Sequence, residues 1–168
     1  MDIRLEPVVP PLSDEDVAFC VKGLREVFSS IDNWHAVGQV KRYLDEELRR
    51  DDTWMFIAVS NETNERVALA SVTRFAMPRY LGHAYEVQEM CVLPEYRGKG
   101  IATRILELLV EKYSQDPKAR KLIIRTNDGN VAAKKAYAKV CEPTDMVSMQ
   151  RFLNKLPHEP TATCGGAA

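Results

Sequence analysis

The chain has 168 residues, 45% of them apolar and 28% charged, which is the composition of a globular domain and not of a disordered segment. Lys and Arg total 23 against 24 for Asp and Glu, and the resulting net charge of −1 argues against a nucleic-acid-binding domain with a large phosphate footprint. No apolar run approaches the roughly 20 residues of a membrane-spanning helix, and the N-terminus, with charges at Asp2, Arg4 and Glu6, lacks the basic-then-apolar order of a secretory signal.

Residues 2–8 alternate Ile3 and Leu5 against Arg4 and Glu6, which predicts an opening strand that Pro7, Pro10 and Pro11 terminate. Ser13 followed by Asp16 resembles a capping box. It starts a helix on which Val17, Cys20, Val21, Leu24, Val27 and Phe28 recur at helical spacing. A second helix is expected over residues 37–50, where Asp45, Glu46 and Glu47 followed by Arg49 and Arg50 read as a solvated, oppositely charged face. Residues 54–59, 67–75 and 84–93 read as three strands, the last two separated by Met77 and Pro78. After Pro94 a helix is expected to run to about residue 114, with Ile101, Ile105, Leu108, Leu109 and Tyr113 on its apolar side. Residues 121–125 read as a buried strand, 130–139 as a short helix and 146–153 as a last strand.

This order predicts an α/β fold with one mixed sheet, antiparallel at first and closed by a right-handed parallel crossover. Residues 1–155 are expected to form a single domain, and 156–168, with two prolines and two glycines, a frayed tail. Cys20, Cys91, Cys141 and Cys164 show no C-x-x-C pair and no His in ligand spacing, so free thiols and no metal site are expected. The combination suggests a soluble protein of the reducing cytoplasm, with neither nucleic acid nor membrane as a partner.

The most informative stretch is residues 90–103. A strand ends at Val92, and Arg97-Gly98-Lys99-Gly100-Ile101-Ala102 leads into a long helix. Such a turn leaves backbone N–H groups unpaired at the positive end of the helix dipole, a natural pyrophosphate site. It is not a P-loop, and the third glycine of a dinucleotide fingerprint falls on Thr103. It does match R/Q-x-x-G-x-G/A. About thirty residues on, Asn130, Ala133, Tyr137 and Lys139 fit N-x-x-A-x-x-x-Y-x-K.

With Val92, Pro94 and Tyr96 before the loop, these motifs resemble the GNAT superfamily of acetyl-coenzyme A-dependent N-acetyltransferases. The resemblance implies a central mixed, twisted sheet with helices on both faces and a splayed strand pair at the cofactor site. It also implies direct attack of a primary amine on the thioester of acetyl-CoA in a ternary complex. The amides from Arg97 through Gly98, Lys99, Gly100 and Ile101 to Ala102 would hold the pyrophosphate. Main-chain groups of Met90, Cys91 and Val92 would pair with the pantetheine arm. Tyr137 matches the family's thiolate-protonating tyrosine, against the reading of a core aromatic. Asn130 orients the cofactor or caps its helix. Cys141 and Glu142 stand where the family often has Gly-Phe, so the turn there is built differently.

For the base, strict alternation places Glu86, Gln88 and Met90 on one face and Val87, Glu89 and Cys91 on the other. Glu86, acting through water, is favoured and Glu89 is second; the alternative is that both carboxylates line a cationic acceptor's pocket. Trp34 lies where the family builds part of its acceptor wall, with core packing the equal alternative; Asp32, Glu86, Glu89 and Asp145 would suit a polycationic acceptor, and His35 and His83 read as surface histidines. Residues 43–58, with Tyr85, Glu86 and residues 97–103, loosely resemble aminoglycoside 3-N-acetyltransferases, which implies a small cationic acceptor and antibiotic resistance. A protein lysine or N-terminus is the alternative acceptor, and a non-catalytic acyl-CoA sensor is the alternative of another class. Monomer and homodimer are both compatible with the sequence.

Overall fold

The computed structural model describes residues 1–27 and 37–144. Three strands of 8, 12 and 11 residues form its centre, β2 (Thr53–Ser60), β3 (Arg66–Met77) and β4 (Gly82–Val92), which carry β-branched and aromatic residues suited to a sheet. They are flanked by β1 (Ile3–Pro7) and β5 (Ala119–Ile124) in a five-stranded sheet of order β1-β2-β3-β4-β5. The first three pairings are antiparallel and β4–β5 is parallel, so the mixed sheet expected from the element order is the one that forms.

Helices cover both faces. Cross-strand partners share a face, so the register sorts the side chains. Phe56, Ala58, Ala70, Val72, Tyr85 and Val87 join Ile105, Leu106 and Leu109 of α3 (Ile101–Tyr113) in one core. Met55, Ile57 and Val59 face the other way, against Val17, Cys20 and Val21 of α1 (Asp14–Val27) and Leu44 of α2 (Val37–Glu47). Gly23 is what lets α1 sit so close: a Cβ there would overlap the side chain of Leu69, which is fully buried in β3. Ser13 caps α1 as its spacing suggests, its Oγ accepting from the Asp16 amide at 3.0 Å.

Several local expectations differ from what forms. The second helix stops at Glu47, because the amides of Arg49 and Arg50 bond three residues back and tighten the chain into a turn. Asp45 is not simply solvated; its Oδ1 accepts from the Leu12 amide at 2.8 Å and ties α2 to the start of α1. On α3 it is Leu106 that is fully buried, while Leu108 is only half-buried. β5 is not a buried strand: Arg120 and Lys121 are exposed, since β5 borders the sheet among the described residues. His83 lies in β4 and pairs through Nε2 with Asp116, which also accepts from the Tyr85 hydroxyl at 2.8 Å. Phe28, Asp32, Trp34, His35, Asp145, Cys164, the strand expected over 146–153 and the tail fall outside the described residues. Among the described residues no helix is long and apolar enough to cross a membrane, and no cluster of His, Cys, Asp or Glu could hold a metal.

Candidate active site

The glycine loop opens on a 3-10 turn (Pro94–Tyr96) and an extended Arg97. Gly98 and Gly100 both take φ +78°, the left-handed region that glycine enters without penalty. Gly100 caps α3 but has no side chain to bond the first turn. The first intrahelical bond runs from the Arg104 amide to the Gly100 carbonyl at 3.0 Å, so the amides of Ile101, Ala102 and Thr103 have no acceptor within the helix. A Cβ built at Gly98 or Gly100 meets no atom of the described residues within 4 Å, so among them the space beside this turn is open. Bare donors, helix dipole and free space together fit a pyrophosphate.

Arg97 turns back instead of outward: its Nε donates to the Val92 carbonyl at 3.0 Å and a terminal nitrogen pairs with Glu26 at 3.4 Å. It therefore pins the loop to the end of β4 and to α1. Lys99 lies with Nζ 5.1 Å above the Tyr96 ring. Thr103, noted in the sequence only for not being glycine, donates from Oγ1 to the Ala136 carbonyl at 3.3 Å. That bond holds the start of α3 beside the end of α4 (Val131–Tyr137), where Tyr137 stands. Tyr137 is half-buried against the α3-side core, and burial pushes its phenol up from its ordinary pKa. Asn130 caps α4, its side chain accepting from the Ala133 amide at 3.1 Å.

β4 and β5 part where the resemblance implies a splayed pair. Their last paired residues are Val87 and Ile124, and among the described residues β4 continues alone on that side to Val92. The edge carrying Met90, Cys91 and Val92 thus has no β5 neighbour, although the Val92 carbonyl already accepts from Arg97. Just past the parting, the β3 register steps from Val72–Val87 to Ser71–Glu89, which leaves Gln88 as the extra residue of a β-bulge.

The bulge overturns the strict alternation expected for this strand. Glu86 is opposite Thr73 and Glu89 opposite Ser71, two positions apart on β3, so both carboxylates lie on the α1 side; Met90, opposite Ala70, lies on the α3 side with Val87. Ser71 stabilises the bulge, its Oγ accepting from the Glu89 amide at 3.1 Å. The two acids differ in their surroundings. Glu86 is 8% exposed and its Oε1 pairs with Nη1 of Arg125. The carboxylate of Glu89 has no hydrogen bond or ion pair among the described residues, and burial pushes its pKa up. Sequence reasoning missed Ser71 and Arg125. Strand alternation could have placed Arg125 beside Ile123, but only the parallel register sets it next to Glu86.

The acetyltransferase (GNAT) family model matches residues 23–142. No curated protein matches the sequence. Among solved structures, a probable acetyltransferase superposes with a TM-score of 0.74 at 16% identity, over 94% of this chain and all of that one. An aminoglycoside acetyltransferase from an uncultured soil metagenomic sample, in complex with sisomicin, gives 0.67 at 13% identity, over 92% of this chain and 96% of that one. Glucosamine-6-phosphate N-acetyltransferase from Arabidopsis thaliana gives 0.66 at 17% identity, over 92% of this chain and all of that one. These likenesses show the fold; the family match, running from within α1 past α4 and across both motifs, shows that the chain belongs to the acetyltransferase (GNAT) family, whose members take their acetyl group from acetyl-CoA.

Proposed function

We propose that this chain is an N-acetyltransferase for a small-molecule primary amine, working by direct attack in a ternary complex with acetyl-CoA. The observation that carries the reading is the stretch of β4 beyond Val87, paired with β3 but free of β5, which runs from two carboxylates to an open cradle of amides. In this reading the amides of residues 98–102 hold the pyrophosphate. The free edge of β4 at Met90 and Cys91 pairs with the pantetheine arm, with Val92 contributing what Arg97 leaves free. The thioester then lies beside the bulge.

The chemistry needs a free lone pair on the amine. An alkylammonium with a pKa near 10.4 loses about 4–5 kcal/mol to deprotonation at neutral pH. We assign the base to Glu89, which is half-buried, unpartnered and raised in pKa by desolvation, so it accepts a proton more readily than an ordinary glutamate. Glu86 was the first choice on sequence, but Arg125 already engages its carboxylate. The nitrogen attacks the thioester carbon, and a backbone amide of β4 stabilises the tetrahedral oxygen. The C–S bond then breaks, and Tyr137 hands its phenolic proton to the departing thiolate. The raised pKa of Tyr137 keeps that proton in place across the neutral range. Asn130, committed to its helix cap through Oδ1, keeps only its amide nitrogen for the cofactor.

An aminoglycoside would be one such amine, and its acetylation would confer resistance; one of the structural neighbours is an aminoglycoside acetyltransferase. The free thiols of Cys20, Cys91 and Cys141 suit the reducing cytoplasm, where we place the reaction. Thiol release from acetyl-CoA, followed with aminoglycosides, amino sugars, polyamines and peptides, tests the assignment. Turnover only on peptides supports a protein acetyltransferase instead, and tight binding without any turnover supports a sensor.

A further inference from the structure

The strongest unassigned feature beside this site is Arg125. β5 ends at Ile124, and Leu122 and Ile124 pack toward the α3-side core, so alternation puts Ile123 and Arg125 on the α1 side with Glu86. The ion pair there is unequal: the Glu86 side chain is 11% exposed and that of Arg125 is 54% exposed. Glu86 is therefore the buried anchor, and Arg125 carries a half-exposed guanidinium held beside the point where β4 and β5 part. A guanidinium has five N–H donors in a planar fork and one carboxylate satisfies at most two of them. The remaining donors belong to a side chain that is more than half exposed, so they are open to a ligand.

Charge follows from this arrangement. Glu86 is neutralised by Arg125, and Glu89 keeps a carboxylate uncompensated among the described residues two register positions away, a separation of about 7 Å along the strand. The cleft thus presents one negative and one positive docking point, not a wholly acidic wall. A polycation would gain at Glu89 and be repelled at Arg125. A molecule with an ammonium near Glu89 and an anion one such spacing away satisfies both.

We propose that Arg125 is a specificity-determining residue that binds a carboxylate or phosphate carried by the acceptor some atoms away from its reacting amine. The inference rests on the reading of the chain as an amine N-acetyltransferase. Carboxylate and phosphate share the chemistry of a planar, bidentate guanidinium contact, and matched probes distinguish them.

The test uses glucosamine 6-phosphate against glucosamine and γ-aminobutyrate against butylamine, with thiol release as the readout. The wild type should prefer the anionic member of at least one pair. Arg125→Ala should collapse that preference roughly 10–100-fold, through KM more than kcat, as expected for losing a charge-assisted contact. Arg125→Lys should fall between, because it keeps the charge and loses the fork. Glu86→Gln, whose amide oxygen still accepts from the guanidinium but no longer neutralises it, should strengthen the preference several-fold. Preference in the phosphate pair alone names a phosphorylated amine, and in the carboxylate pair alone an amino acid. An Arg125→Ala variant that turns over both members of each pair in the wild-type ratio overturns the proposal. So does a wild type that prefers the uncharged members. If no amine is acetylated, the function assignment itself fails. Calorimetric titration of the two anionic probes into the CoA complex then decides the Arg125 site separately: equal heats with wild type and Arg125→Ala, or none with either, overturn it.

Discussion

Gly100 offers the sharpest separation of backbone geometry from ligand binding. Its φ of +78° and ψ of 7° put it in the left-handed region, where an L-residue costs roughly 1–2 kcal/mol. For a chain of this length that is a Tm loss of roughly 2–8 °C in Gly100→Ala. A Cβ at this position meets no atom of the described residues within 4 Å, so strain is the cost these residues impose on the unliganded fold. Asn enters the left-handed region several-fold more often than other residues, and Gly100→Asn should lose less Tm than the Ala variant. Both substitutions nevertheless put atoms into the space before the amides of Ile101, Ala102 and Thr103. Bonds from neutral donors to a charged phosphate are worth more than neutral pairs, so losing one or two should weaken acetyl-CoA binding roughly 10–100-fold. Thermal melts and calorimetric titration with acetyl-CoA measure the two effects independently. The expected pattern is a smaller Tm loss in Asn with equal or greater loss of affinity. Wild-type affinity in both variants would refute the cradle, and affinity that tracked Tm would mean the loop collapses instead.

Further consequences are as direct. Glu89→Gln should lower kcat by roughly 10²–10⁴, the usual worth of a general base, and abolish an acidic limb that in wild type lies above the ordinary glutamate range. Because the folded carboxyl is raised, ionised Glu89 opposes folding at neutral pH, so the same variant should melt higher at pH 7. That gain should vanish below about pH 4, where folded and unfolded states are both protonated. Tyr137→Phe should reduce kcat while acetyl-CoA affinity stays within a factor of about two, since only the phenolic proton is lost; an unchanged kcat removes it as the acid. Gly23→Ala gains roughly 1 kcal/mol of helix propensity but overlaps the buried Leu69 side chain, an overpacking that costs roughly 1–3 kcal/mol. A lowered Tm is expected, and a raised one would show that α1 shifts freely. At the far end of β4, the Lys118 amide, then His83 and Tyr85, hold Asp116 down at about 2. That stabilisation is present above the ordinary Asp range and is lost as pH falls toward 2. Asp116→Ala should therefore melt lower than wild type at pH 7, and the gap should close as the pH approaches 2.

Much of the site was legible because its signals are local. Gly98 and Gly100 sit where the backbone needs a left-handed conformation, and the strand-to-helix turn around them follows from Pro94 and the α3 periodicity. Asn130 and Ser13 read as caps from spacing alone, since a cap spans only three residues. What failed were statements that depend on a neighbouring strand. The faces of Glu86 and Glu89 were misassigned because one extra residue in a bulge inverts the alternation beyond it, and nothing in residues 82–92 marks Gln88 as that residue. His83 read as a surface residue because its partner Asp116 is 33 positions away.

By itself the sequence determined the element order, the mixed sheet, the phosphate-type loop and the family motifs, all of which are set by periodicity, glycine geometry and short spacing. The near-zero net charge carries no information about the glycine loop, whose open donors are backbone amides. Tertiary structure alone decided the electrostatics of the cleft. Parallel pairing of β4 with β5 brings Arg125 onto Glu86, and the bulge opposite Ser71 turns Glu89 to the same side. Charges interact through space over a few ångströms, and the chain brings those three groups together from positions 39 residues apart at most only by folding.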